Sequence, residues 1–105
     1  MIITYEFDGD DYNPGTEFEY EVDYDQRVEA IANYMADNYI QHLNRQCKFS
    51  DEQIKKLRLS KSVLAKAFSY TLKDFDLVSD EVEDDLEEII KEYWEEDAYE
   101  VYKNN

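Results

Sequence analysis

Every glycine and proline of this 105-residue chain lies before position 16, at Gly9, Pro14 and Gly15. Glycine opens positive φ and proline fixes φ near −65°, so these residues most often turn a chain. From residue 16 onward the sequence therefore has few means of turning sharply, and it reads as helix broken by short polar joints. The exception to helix is residues 1–24, where two segments, one on each side of these residues, alternate with period two, the mark of half-buried strands. In "IITYEF" (2–7), Ile3, Tyr5 and Phe7 share one face. In "EFEYEVDY" (17–24), Phe18, Tyr20, Val22 and Tyr24 share one face, and Glu17, Glu19, Glu21 and Asp23 share the other. Asn13-Pro14-Gly15-Thr16 reads as the turn that joins the strands into a hairpin over 2–24. Two strands alone are only marginally stable, so the aromatic face must pack, and the first helix is its expected cover.

The helical part is expected over 25–103. Asp25 is placed to cap a helix over 26–44, with Val28, Ile31, Ala32, Met35, Tyr39 and Leu43 as its core stripe. Ser50 and Gln53 fit a capping box that opens a short helix carrying Ile54, Leu57 and Leu59. Ser60 or Ser62 caps the next helix, with Val63, Leu64, Ala67, Phe68 and Leu72 inward. Ser79 is expected to cap the last helix. At 100° per residue, its Val82, Leu86, Ile89, Ile90, Tyr93, Trp94 and Val101 fall in an inward arc of roughly 140°. Asp97 falls inside that arc and marks a break in the stripe. The expected fold is α+β: one domain over 1–105, an N-terminal antiparallel β-hairpin packed against three or four α-helices.

The net charge of −16 would suggest disorder if hydrophobicity were low, but the hydrophobic fraction is 43%. Ten Tyr, five Phe and one Trp supply large buried areas for a small core. The charge is segregated. Residues 1–44 carry eleven acids and one Arg, net −10; residues 45–73 carry eight Lys or Arg and two acids, net +6; residues 74–105 carry fourteen acids and two Lys, net −12. An evenly solubilised surface would intersperse the signs. Glu81, Asp84, Asp85, Glu88, Glu92, Glu95 and Glu96 lie opposite the apolar arc of the last helix. Asp84–Glu88, Glu88–Glu92 and Glu92–Glu96 are like-charged at the spacing where Glu–Lys pairs would stabilise. Glu17, Glu19 and Glu21 repeat the pattern on the hairpin. A charge run of this kind is ordinarily the solvated face of an amphipathic helix; against that, two elements carry uncompensated repulsion, the pattern expected if the negative field itself has a role.

The chemistry of catalysis is sparse. His42 and Cys47 are the only histidine and the only cysteine, too few for a zinc site, and they read as an edge histidine and a packed thiol. "DGDDYNPG" fails the calcium-loop pattern, because the sixth position from Asp8 is Asn13 where glycine is required. No cofactor, metal or catalytic residue is expected. A single cysteine and the lack of a basic, apolar leader or membrane-length run point to the cytoplasm. "SDEQIKKLRLSKSVLAKAF" has the length of a helix-turn-helix, with Lys55, Lys56, Arg58, Lys61 and Lys66 outward. Its turn lacks glycine, however, and the rest of the chain repels phosphate, so these cations are expected to face acidic blocks within one chain or between two.

The acidic, Tyr-rich make-up and charge layout resemble the small nucleic-acid mimics with which phages and mobile elements block host restriction or CRISPR nucleases. That resemblance implies a non-enzymatic inhibitor whose acids stand in for phosphates on a basic, nucleic-acid-binding protein, with no direct nucleic-acid or membrane contact. The alternative is a protein–protein adaptor or regulatory subunit that binds through Tyr93, Trp94, Tyr99 and Tyr102. A homodimer is compatible with either.

Overall fold

The computed structural model describes residues 1–7, 15–78 and 83–104. Strands β1 (Ile2–Phe7) and β2 (Thr16–Glu21) form an antiparallel hairpin, followed by helices α1 (Tyr24–Arg45), α2 (Asp51–Lys56), α3 (Lys61–Asp74) and α4 (Asp84–Lys103). The α+β arrangement expected from the sequence is present, with four helices. Asn13 and Pro14 of the expected turn lie outside the described residues, as do Ser79, Glu81 and Val82.

Register follows the alternation. Ile3 faces Tyr20 and Tyr5 faces Phe18 across the ladder, while Thr4 faces Glu19 and Glu6 faces Glu17. Ile3, Tyr5 and Phe7 are buried, whereas Glu17, Glu19 and Glu21 are exposed. A one-residue slip would have reversed every one of these, so the buried aromatic face sets the pairing. β2 stops at Glu21, short of the expected Tyr24, but Val22 still donates its N–H to the Met1 carbonyl at 2.8 Å and is fully buried.

The chain turns into α1 earlier than Asp25. Asp23 is the N-cap: its side chain accepts from the Gln26 N–H at 2.8 Å, and Gln26 Oε1 accepts from the Asp23 N–H at 2.9 Å. That reciprocal box needs Gln or Glu three residues on, which Asp23 has and Asp25, followed by Val28, does not. Ser50 makes the same box with Gln53, and Ser60 caps α3 by accepting from the Val63 N–H.

α1 is the central element. Val28, Ala30, Ile31, Ala32 and Ala36 are buried on it, a wider arc than one stripe, because α3 and α4 both pack against it. Small alanines let both neighbours approach. Tyr39 stays 41% exposed. On α3, Leu64 and Leu72 are buried, but Val63 is 54% exposed and Ala67 lies outside, so the inward stripe is narrower than expected. Leu57, at the end of α2, is likewise 54% exposed, leaving Ile54 as the anchor of that short helix. Two ion pairs join α3 to α1, Lys61–Asp37 and Lys73–Asp25, each at 3.0 Å. The hydrogen bond and charge of Asp25 hold the Lys73 ammonium above its ordinary pKa.

The expected cover of the sheet is corrected. The aromatic face meets α4, not chiefly α1. Phe7 packs edge-on to Tyr99 with ring centroids 5.4 Å apart and lies 5.2 Å from Tyr102, while Phe18 sits 5.6 Å from Tyr102. This second neighbour rotates the buried side of α4 from the expected arc. Ile90 and Ala98 are fully buried and Tyr102 is half-buried, while Tyr93 lies at an exposed edge; Val101 points the same way as Ile90 but lies in the last turn of the helix and stays exposed. Asp97 is exposed in the C-terminal part of α4, a break in the stripe as expected.

Candidate protein-interaction surface

Two tethers fix α4 against its neighbours. The Tyr5 hydroxyl donates to the Lys91 carbonyl at 2.6 Å, and Trp94 Nε1 donates to the Gln26 carbonyl at 3.0 Å. The first holds the middle of α4 to β1; the second holds it to the first turn of α1. Lys91 Nζ also lies 5.8 Å from the centroid of the Tyr5 ring. The interior side of α4 is thus set by named contacts, and its outer side follows from helical geometry.

On that outer side Asp84, Asp85, Glu88, Glu92, Glu95 and Glu96 are all exposed. Among the described residues the ion pairs run between α3 and α1, and no α4 carboxylate takes part in them. Consecutive acids at four-residue steps climb ~6 Å along the axis. The observed helix is shorter in charge than the full acidic stretch. α4 holds nine acids and two lysines, net −7 over 20 residues. Its length of ~30 Å gives one charge per ~4 Å, close to the ~3.4 Å spacing of one DNA strand.

Glu92, Glu95 and Glu96 line a shallow cleft together with Phe7 and Tyr99. Nothing local in the sequence brings Phe7 here, since a strand residue and a helix residue 92 positions apart share no pattern. The only available signal was Tyr99 and Tyr102, three residues apart and so on one helical face. Glu95 also bears on Tyr5. Burial first, then the Glu95 and Tyr20 charges, push the Tyr5 phenol up to about 12. Burial, then Glu29 and Asp97, raises the Tyr93 phenol above its ordinary value.

Glu17, Glu19 and Glu21 do not join the α4 face. The pleat sends successive side chains to opposite sides, and the aromatic side is the one on α4. The hairpin glutamates therefore form a second acidic patch that points away, with Glu6 set directly across from Glu17. Of the aromatic anchors, Trp94 spends its N–H on Gln26, and Tyr102 is packed among Phe7 and Phe18. Tyr93 and Tyr99, each 38% exposed, flank the acidic row.

Cys47 is exposed, not packed, because it lies beyond the last turn of α1; His42 is exposed on the helix. Among the described residues no three His, Cys, Asp or Glu side chains converge as metal ligands would, and no helix is long and apolar enough to cross a membrane. No protein-family model, curated protein or solved structure matches the chain.

Proposed function

We propose that the chain is a non-enzymatic, cytoplasmic inhibitor that presents the outer face of α4 as a substitute for a nucleic-acid strand. It would occupy the basic groove of a DNA- or RNA-binding protein, of the kind that phage and mobile-element mimics target. The observation that carries this reading is the exposed carboxylate row from Asp84 to Glu96, outside the ion pairs seen among the described residues and held on a helix tethered at Lys91 and Trp94. A tethered row loses little freedom on binding, so more of its electrostatic attraction survives as affinity. Glu81 belongs to the same face by sequence spacing, and Glu17, Glu19 and Glu21 offer a second contact.

The adaptor reading draws on Tyr93 and Tyr99, whose exposed rings resemble interface anchors. Salt separates the two readings. The test is an affinity capture from a bacterial lysate at low ionic strength, eluted by a salt gradient. Retention of nucleic-acid-binding proteins that elute early supports the mimic; capture of partners that resist salt supports the adaptor; no capture of basic proteins contradicts the mimic.

A further inference from the structure

The basic block has a surface that the proposed function does not use. Where α2 and the start of α3 meet the C-terminal half of α1, a groove is floored by Ile40, Ile54, Leu59 and Val63 and rimmed by Lys55 and Arg58. Its lining is mostly apolar, and Val63 is 54% exposed. Lys61 also borders it but is engaged by Asp37 at 3.0 Å, and Asp51 is the acid of the lining. Lys55 and Arg58 take no part in the ion pairs of the described residues. An apolar floor under a cationic rim fits an amphipathic helix edge whose aliphatic or aromatic residues are flanked by carboxylates.

The same chain displays such an edge. On α4, Ile89 is half-buried and Tyr93 is 38% exposed, one helical turn apart. Glu92 and Glu96 lie beside them on the solvent side, both exposed. We propose that the α2–α3 groove of one copy receives the Ile89–Tyr93 edge of α4 from a second copy, with Lys55 and Arg58 meeting Glu92 and Glu96. The two surfaces differ, so the contact closes when a pair of molecules exchanges it reciprocally, or when head-to-tail copies complete a ring. Self-association of this kind covers part of the acidic row and competes with any basic partner.

Charge gives the contact a distinctive salt profile. The net −16 of each copy opposes association when screening is weak. Near physiological ionic strength the screening length is ~8 Å, which removes the long-range repulsion and leaves touching pairs. At still higher salt those exposed pairs fade as well. Association is therefore strongest at intermediate ionic strength.

Sedimentation equilibrium of the whole chain tests this, with circular dichroism to confirm that each variant folds. The wild type should associate in a concentration-dependent way near ~0.15 M salt and dissociate near ~0.5 M, where screening tightens. Lys55→Glu/Arg58→Glu and Glu92→Lys/Glu96→Lys should each be monomeric alone. Mixed in equal amounts, they should associate again, since each supplies the complement of the other's altered surface. A wild type that remains monomeric to millimolar concentration overturns the proposal, whether or not its groove binds an unrelated acidic helical peptide. So does association that the groove variant leaves unchanged.

Discussion

The Tyr5 hydroxyl, on the first strand, donates to the backbone carbonyl of Lys91, on the last helix, at 2.6 Å. The two residues are 86 positions apart, and the bond joins β1 to α4. It also fixes which side of α4 faces inward, and so which side carries the acids outward.

Removing that hydroxyl has a signature at high pH. The Tyr5 phenol is raised from 10.0 to about 12, so the native state holds the proton more tightly than the unfolded chain. Its stabilising contribution is complete below pH 10 and is lost as pH rises through about 12. Tyr5→Phe should cost ~1 kcal/mol at neutral pH for the lost hydrogen bond. It should also lessen the fall in stability across that alkaline window. Urea unfolding at neutral and alkaline pH measures both, and a variant whose alkaline loss equals the parent's would place the titrating group elsewhere.

The hairpin was legible because period-two alternation and one buried face leave a single register, pairing Tyr5 with Phe18. The cap at Ser50 was legible, and that of α3 narrowed to Ser60 or Ser62, because hydroxyl capping is local chemistry. The phase of α4 was not. A helical wheel gives one apolar direction, but α4 packs on both α1 and β1, and the mean direction misplaced Tyr93; Val101 is exposed because it lies in the last turn, which a wheel does not show. Helix ends were equally obscure, since no glycine marks them. Arg58 and Asp76 take positive φ there instead, at 59° and 49°. From Asp84 to Glu96 the acidic row read correctly as exposed, because charge periodicity tolerates a rotation of the seam by a few tens of degrees.

The start of α1 is separable by mutation. Asp23→Ala removes the side-chain half of a capping box and should cost ~1 kcal/mol. Asp25→Ala removes only an exposed ion pair with Lys73 and should leave the melting temperature nearly unchanged. The reverse order would return the cap to Asp25.

The left-handed residues after α2 and α3 store a small strain. At each site the C″ N–H returns to the third-last helical carbonyl, Leu59 to Ile54 at 3.3 Å and Leu77 to Leu72 at 3.0 Å, the pattern that usually places glycine between. Arg58→Gly and Asp76→Gly should each stabilise by ~0.5–1 kcal/mol, after the entropy that glycine adds to the unfolded chain. Thermal unfolding checks this, and destabilisation by both would show that the side chains matter more than the backbone.

Glu6 and Glu17 face each other across the strands, a like-charged pair that opposes pairing. Glu17→Lys should raise hairpin stability by ~0.5 kcal/mol. If the outer hairpin face contributes to partner capture, the same change should weaken retention on a basic partner. A stability gain with unaltered retention would confine the functional surface to α4.

In the proposed function the α4 carboxylates act together as a nucleic-acid substitute. The most direct measurement is the association rate of the captured partner with the wild type and with Glu88→Lys/Glu92→Lys/Glu95→Lys, followed over a range of salt and with duplex DNA as competitor. Charge steering acts mainly on the on-rate, so the triple reversal should slow association by ~10-fold or more at low salt, and DNA should displace the wild type. Equal rates for the two proteins, insensitive to salt and to DNA, would contradict the proposed function.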